Sequence, residues 1–266
     1  MEDALPILEY LPNSFKELGE QVYIRFLWDA FESNYEHEKF QFAMFPYHML
    51  YMSFVYFSVW QIRLMRPTDF SHATIFQKNE KQVMAGTSPF TLFRVAEGEV
   101  FKFLRIIGCN EDQIRPFSEL VGERNKLAHA NGTIACADRT SADAKIAEIL
   151  KQVRAIQTHM TSALHQCLKT FLLESATPVE EREYEDPADQ IRELLVHKNY
   201  FSLKDIEACM AFDVHTMSDE PQFAQIKILV NEFVALSGAV KVVAAKSSML
   251  KRLVFLVDSD PLVFAG

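Results

Sequence analysis

Glycine is scarce in this chain, and phenylalanine is unusually common. The 266 residues include 8 Gly and 22 Phe, and 49% of the residues are hydrophobic. Low glycine content disfavours a turn-rich β sandwich, and this many apolar side chains can bury a substantial core. The composition therefore predicts a soluble globular protein that is mostly α.

Cysteine is also scarce, and no two cysteines have the spacing of a metal or disulfide motif. The four are Cys109, Cys136, Cys167 and Cys209. This scatter indicates neither a zinc site nor a disulfide framework and fits a reducing compartment. The chain begins with Glu2 and Asp3, where a secretory signal would need a basic flank and an apolar run. We therefore expect a cytoplasmic location.

Charged residues are missing altogether from Gln41 to Ile62, a stretch dense in Phe, Tyr, Met and Val. A membrane span is the alternative to consider, but Pro46 and His48 interrupt the stretch and its Tyr residues are not gathered at its ends. The pattern therefore predicts a buried helix from Pro46 to Arg66, with Pro46 in its first turn, and no membrane partner.

Acidic charge is concentrated in one short segment. The net charge is -9, and residues 174–187 alone carry six Asp/Glu and one Arg between flanking prolines. We assign 174–187 as a linker between a domain at 1–173 and a domain at 188–266. Because the acidity lies mostly in the linker, each flanking domain can still present a local basic face.

The first domain is predicted to be an antiparallel bundle of five helices. Apolar residues recur at helical spacing near 14–34, 46–66, 88–108, 111–132 and 141–173. The stripe of the first helix consists of Phe15, Leu18, Val22, Phe26 and Phe31. Ser88 and Pro89 form an N-cap and first-turn pair for the third helix, and Gly132 is the expected end of the fourth.

The second domain has a different pattern. Three short helical segments, the second opened by a capping-box-like Ser202 and the third ending at Gly238, precede two β-rich runs at 239–245 and 252–257. Three helices followed by a β-hairpin resemble a winged helix-turn-helix over about 75 residues.

Basic residues cluster around the predicted wing and are candidates for contacts with a phosphate backbone. They are Lys241, Lys246, Lys251 and Arg252. The helix that would enter DNA begins with Asp219 and Glu220, whose charges repel phosphates. We therefore favour dimerisation, protein binding or RNA positioning over sequence-specific DNA reading, although DNA binding stays open.

An arginine interrupts the apolar stripe of the fourth helix. The stripe contains Phe117, Leu120 and Val121, and its next position is Arg124. Burying an unpaired guanidinium costs several kcal/mol. Arg124 should therefore be paired, hydrated or part of a functional groove.

The six residues from Arg124 to His129 read Arg-Asn-Lys-Leu-Ala-His. They resemble the signature of the HEPN family, in which an Arg, usually followed by a small polar residue, precedes a His by four to six residues. The resemblance implies a homodimeric, metal-independent endoribonuclease without a cofactor, in which two Arg/His pairs face each other across a groove. It implies that His129 is the acid/base group, that Arg124 holds the scissile phosphate, and that Asn125 orients either of them.

The resemblance also suggests a toxin-antitoxin or phage-defence role, with an antitoxin or regulatory protein as a further partner. Lys126, inside the motif, is a candidate nucleic-acid contact. The chemistry is sensible on its own, because an imidazole titrates near neutral pH and a guanidinium matches a phosphate. Since the motif offers one His per chain, a symmetric dimer would supply the second.

Arg124 and His129 are separated by about 140° around a regular helix, so a regular helix does not by itself bring them together. Two other interpretations therefore stay open. In the first, Arg124 pairs with a bundle carboxylate such as Glu97 or Glu99, and His129 complements the helix dipole. Alternatively, the HEPN bundle is a non-catalytic dimer scaffold that carries a winged-helix regulator.

Overall fold

The computed structural model describes residues 2–75, 78–128, 134–178 and 182–246. Over these ranges the regular secondary structure is helical throughout, apart from one isolated antiparallel bridge between Pro12 and Ser202. The prediction of a mostly α protein is confirmed. Within the described ranges, no helix is both long and apolar enough to cross a membrane.

The described ranges contain ten α-helices. They are α1 (Leu18–Glu36), α2 (Phe40–Met65), α3 (Pro67–Thr74), α4 (Glu80–Met84), α5 (Glu97–Val100), α6 (Glu111–Ala128), α7 (Arg139–Ser175), α8 (Pro187–Ile191), α9 (Leu203–Cys209) and α10 (Phe223–Lys246). Helical segments of other types lie before α1 and between the later helices. They are the 3₁₀ helices Glu2–Tyr10, Pro89–Arg94, Phe101–Ile107 and Val214–Met217, and a π-helical turn Arg192–His197.

The chain forms two compact units. One consists of residues 1–11 and 17–160, and the other of residues 12–16 and 161–266. The division falls inside α7, which is one continuous helix in the described chain. The predicted domains at 1–173 and 188–266, with a linker at 174–187, stay a prediction.

Helix α2 is the centre of the first unit. Every residue from Leu50 to Ile62 is buried, so the prediction of a buried helix is confirmed. The predicted start is wrong, because α2 begins at Phe40 and Pro46 lies inside it. A proline in a helix removes one backbone hydrogen bond, and the burial of Ala43 and Met44 in the preceding turns offsets that loss.

Helix α1 packs along α2, but not with the whole of its predicted stripe. Phe31 is buried against Tyr47 of α2, with ring centroids 4.8 Å apart. Leu18, Val22 and Phe26 are exposed. The predicted stripe is therefore buried only in part, because a second apolar face of α1 takes the buried position. That face consists of Ile24, Leu27, Trp28, Phe31 and Tyr35.

The predicted third helix is broken into pieces. The Ser88 cap is confirmed, since its Oγ accepts a hydrogen bond from the Phe90 N–H at 3.4 Å, and the segment ends at Gly108 with φ of 90°. Between them the chain extends at Val95, and the helical turns on either side are mainly 3₁₀. Gly98 lies in this segment, and a glycine disfavours a helix interior by about 1 kcal/mol.

Helices α6 and α7 follow their predicted patterns. Phe117, Leu120 and Val121 of α6 are buried, and so is the apolar stripe of α7. The stripe residues of α7 are Ile146, Ile149, Leu150, Val153, Ile156, Met160, Ala163 and Leu164. Helix α6 is described to Ala128, so the predicted end at Gly132 lies outside the described residues.

In the second unit, the predicted capping box opens α9. The Ser202 side chain accepts from the Asp205 N–H at 3.0 Å, and the Asp205 carboxylate accepts from the Ser202 N–H at 2.8 Å. Helix α8 continues into the π-helical turn and ends at His197, so the first of the three predicted helical segments is helical.

Helix α10 corrects the prediction for the wing. It continues through Gly238 to Lys246, so residues 239–245 are helical and do not form the first strand of a hairpin. One glycine costs a helix about 1 kcal/mol and each valine less, and the alanines of this segment favour the helix. The second predicted strand, at 252–257, lies outside the described residues.

Candidate functional site

The motif lies at the C-terminal end of α6. Arg124 is half-buried and Asn125 is exposed. His129 lies outside the described residues, and Lys126 is described only in its backbone. The structure therefore describes two of the three predicted catalytic residues, Arg124 and Asn125, which are adjacent in the chain. It does not describe the third, His129.

The predicted phosphate-contacting residues of the second unit cannot be assigned to one surface. Lys241 and Lys246 belong to α10, where only the backbone is described. Lys251 and Arg252 lie outside the described residues.

Arg124 forms an ion pair with Glu97, the first residue of α5. Its Nη2 donates a hydrogen bond to Oε2 of Glu97, and the side chains are 20% and 25% exposed. This pair explains how a guanidinium fits into an apolar stripe, because the carboxylate offsets part of its desolvation. It is also one of the two pairs expected if Arg124 has a structural role.

One polar atom of Arg124 is not accounted for by that pair. Its Nε is buried and has no hydrogen-bond partner among the described residues. A guanidinium has five N–H donors, so Glu97 leaves most of them for other acceptors. The accessible part of Arg124 therefore keeps the capacity to bind an oxyanion.

A buried histidine of α2 lies in the same electrostatic environment. His48 is 3% exposed, and its Nε2 has no hydrogen-bond partner in the described part of the chain. Burial, followed by the positive charges of Arg124 and Lys145, lowers the pKa of His48 to about 3. His48 is therefore a neutral imidazole at physiological pH and cannot act there as a protonated acid.

Tyr56, also on α2, is a second side chain whose pKa is affected by the Arg124 pair. Burial first, and then the negative charge of Glu97 and the nearby Tyr23, raise the pKa of Tyr56 to about 12, against the opposing effect of Arg124. Tyr56 therefore keeps its hydroxyl proton. Its ring packs edge-on against Phe90, with ring centroids 6.4 Å apart.

The second cation near the site is Lys145 of α7. It forms ion pairs with Glu123 of α6 and with Glu148, the latter at 2.6 Å. Burial alone would lower the pKa of Lys145, but the two carboxylates outweigh it and the net shift is upward. Both cations are thus already in contact with carboxylates of the same chain.

Sequence reasoning missed three of these neighbours. His48, Tyr56 and Lys145 were given no role in the site, whereas Glu97 was one of two carboxylates expected near Arg124. The sequence offered one signal for these neighbours, because His48 is an ionisable side chain in the charge-free stretch of α2. Tyr56 is eight residues further along α2, about 80° around the helix from His48, so helical spacing alone did not link the two.

Comparisons with protein-family models, curated proteins and solved structures give no match for this chain. The HEPN and winged-helix assignments are therefore proposals that depend on the residues themselves.

Proposed function

We propose that the protein is a metal-independent endoribonuclease of the HEPN type that acts as a homodimer. The observation that carries the proposal is the arrangement at the end of α6. Part of the Arg124 side chain stays accessible, and Asn125 beside it is exposed. An accessible guanidinium offers a fork of donors that matches a phosphate.

The reaction is a transesterification within the RNA. A base removes the proton from a ribose 2′-hydroxyl, the 2′-oxygen attacks the adjacent phosphorus, and the 5′-oxygen leaves with a proton from an acid. The products are a 2′,3′-cyclic phosphate and a free 5′-hydroxyl. His129 of one chain serves as base and His129 of the second chain as acid, while Arg124 stabilises the charge on the non-bridging oxygens.

A second candidate is a non-catalytic dimer scaffold with a regulatory C-terminal domain. The Arg124–Glu97 pair favours it, because a guanidinium neutralised within its own chain has less need of a phosphate. In that case the basic residues Lys251 and Arg252 contact nucleic acid or a partner protein, and the bundle provides only the dimer.

Cleavage of RNA in EDTA separates the two candidates. The substrates are a randomised single-stranded RNA pool and total tRNA, with the ends of the products analysed for cyclic phosphate. We expect Arg124→Ala and His129→Ala each to reduce cleavage by at least about 100-fold. Arg115→Ala is the matched control, because Arg115 lies on the same helix, exposed and paired with Asp112 at 2.9 Å.

Equal cleavage by Arg124→Ala, His129→Ala and the parent protein would contradict the enzyme proposal. The scaffold candidate predicts no cleavage by the parent protein and salt-dependent binding of duplex DNA. That binding should weaken in the double variant Lys251→Glu/Arg252→Glu, because the variant loses two contacts between cations and phosphates. The affinity of the variant should also depend less steeply on salt concentration.

A further inference from the structure

Positive charge is concentrated in one segment of the first unit. The chain has a net charge of -9, yet residues 63–94 contain five Lys/Arg and two Asp/Glu. Three of these cations, Lys78, Lys81 and Arg94, are exposed, and none of the three has an ion pair with a carboxylate in the described part of the chain. Five later cations of the same unit each contact a carboxylate: Lys102, Arg105, Arg115, Arg124 and Lys145. The unpaired cations of the earlier segment are free to contact a polyanion.

Local structure brings the unpaired cations together. Helix α4 and the 3₁₀ helix Pro89–Arg94 lie side by side. Nδ2 of Asn79, the residue before α4, donates a hydrogen bond to the backbone oxygen of Arg94. Because Asn79 lies between Lys78 and Lys81 in the chain, this bond places Arg94 beside both lysines. The residues around this contact form what we call the α4 basic face: Lys78, Lys81, Phe93 and Arg94.

The α4 basic face is built on a fixed frame. The guanidinium of Arg63, on α2, donates hydrogen bonds of 2.9 to 3.2 Å to three backbone carbonyls at the end of α4, those of Val83, Met84 and Gly86. Gly86 also packs closely on the 3₁₀ helix, since a Cβ at this position would come within 2.5 Å of the Thr91 side chain. A frame fixed at both ends lowers the ordering entropy that a ligand must offset on binding.

An aromatic ring accompanies these cations. Phe93 is 64% exposed, and the guanidinium carbon of Arg94 lies 5.0 Å from its ring centroid. Proteins bind single-stranded nucleic acids with this combination, because bases stack on the ring and cations follow the phosphates. A duplex hides the faces of its bases, and a membrane surface requires a longer amphipathic helix than the five residues of α4. The chemistry of the face therefore fits a single strand.

Nearby acids leave the face with a positive excess. The two acids of residues 63–94 are Asp69, which lies on α3, and Glu80, which is half-buried. Glu17 and Glu20 accept hydrogen bonds from hydroxyl groups just before the 3₁₀ helix, at the end away from Arg94. The three cations of the face thus outnumber the one acid between them.

We propose that the α4 basic face binds single-stranded RNA, with Phe93 stacked on a base and the three cations in contact with phosphates. Two extended residues separate Arg94 from Glu97, so the Cα atoms of these two residues are at most about 11 Å apart. Since Glu97 pairs with Arg124, the face lies next to the candidate site and offers a strand a second point of attachment. Binding there does not depend on cleavage and therefore extends beyond the proposed function.

Fluorescence anisotropy of a labelled 2′-O-methyl oligouridine of about 12 nucleotides, titrated with the full chain, tests binding without cleavage. This probe cannot undergo transesterification, because its 2′-oxygen carries no proton. Three phosphate contacts on a single strand predict a slope of about -2 when the logarithm of the association constant is plotted against the logarithm of the salt concentration. The double variant Lys81→Glu/Arg94→Glu should bind at least about 10-fold more weakly and with a shallower slope.

A second charge-reversal variant is the matched control for that experiment. Lys102→Glu/Arg105→Glu changes the net charge of the same unit by the same amount, at side chains that are 53% and 55% exposed. We expect its affinity for the oligouridine to stay within about threefold of the parent value. All variants should keep the circular dichroism spectrum of the parent protein, since the substituted residues are exposed.

Replacing the aromatic ring tests the stacking contact separately. Phe93→Ala should bind about 5- to 10-fold more weakly with an unchanged salt slope, because stacking on a ring releases no counterions. Phe42→Ala is the control, since Phe42 on α2 is also 64% exposed and should leave the affinity unchanged. A duplex of the same length should bind at least about 5-fold more weakly than the single strand.

The outcomes separate this inference from the proposed function. No binding of the oligouridine at about 100 µM protein in low salt, or equal binding by the parent and Lys81→Glu/Arg94→Glu, overturns the α4 basic face. Equal binding by Phe93→Ala, or binding of phosphatidylserine vesicles in place of the oligouridine, also overturns it. A parent protein that binds through the face but never cleaves unmodified RNA supports the face and counts against the ribonuclease.

Discussion

Helices α1 and α2 pack against each other and are both rich in large apolar residues, yet they are buried to very different extents. From Leu50 to Ile62, α2 is enclosed on all sides. Helix α1 buries the side that carries Trp28 and Phe31 and leaves Leu18, Val22 and Phe26 to solvent. A helix that is apolar all round belongs in a core, whereas α1 buries one apolar face and leaves a second one exposed to solvent.

The largest difference should appear in the stability of paired phenylalanine variants. Phe54→Ala in α2 removes a buried ring and should lower the free energy of unfolding by about 3–5 kcal/mol. Phe26→Ala in α1 should change it by less than about 0.5 kcal/mol, because the ring is already hydrated. Urea unfolding at low micromolar protein measures both. A loss above about 2 kcal/mol for Phe26→Ala would show that the stripe is packed within one chain.

The buried face of α2 should also make stability depend on pH through His48. Its pKa in the folded protein is lowered to about 3, so between that value and the ordinary histidine pKa near 6.5 only the unfolded chain binds the proton. Stability is therefore fully present above pH 6.5 and declines as pH falls, by about 2 kcal/mol between pH 7.5 and pH 5.

Replacing His48 with an apolar side chain of similar size should remove that component. His48→Leu is expected to flatten the fall in unfolding free energy between pH 7.5 and 5, measured by urea unfolding at several pH values. His72→Ala, at an exposed position of α3, is the control and should keep the parent profile. An unchanged slope in His48→Leu would contradict a buried neutral imidazole.

A smaller effect is expected where burial is partial. Glu97→Gln leaves the half-buried Arg124 without its carboxylate and should cost about 1–2 kcal/mol of unfolding free energy. Glu99→Gln breaks the more exposed pair with Lys102, at 2.7 Å, and should cost less than about 0.5 kcal/mol. Equal losses in the two variants would show that Arg124 is no better shielded than a surface residue.

The sequence predicted most of the helices, because their signals are local. The charge-free stretch of α2 indicated burial, the stripe of α7 indicated a long amphipathic helix, and Ser202 with Asp205 indicated a capping box. Each of these depends on residues within a few turns of one another.

The errors arose where the outcome depends on distant residues or on small energies. Helical spacing showed that Val22 and Phe26 share a face of α1 but not whether another element covers that face. Gly238 and the valines after it carry propensities of about 1 kcal/mol or less, which a longer helix overrides. For the candidate site, the interrupted stripe correctly indicated that Arg124 needs a partner, and Glu97 was among the carboxylates named. The proximity of His48 and Tyr56 could not be predicted, since it depends on how α2 packs against α6.

The central claim is that two chains form one ribonuclease site, and the dependence of the RNA cleavage rate on protein concentration tests it most directly. In EDTA, the initial rate with a fixed RNA pool should rise with the square of protein concentration below the dimer dissociation constant and linearly above it. Arg115→Ala should follow the same curve, and Arg124→Ala should stay inactive. A rate linear in protein at all concentrations, or no cleavage at 100 µM, would contradict the account.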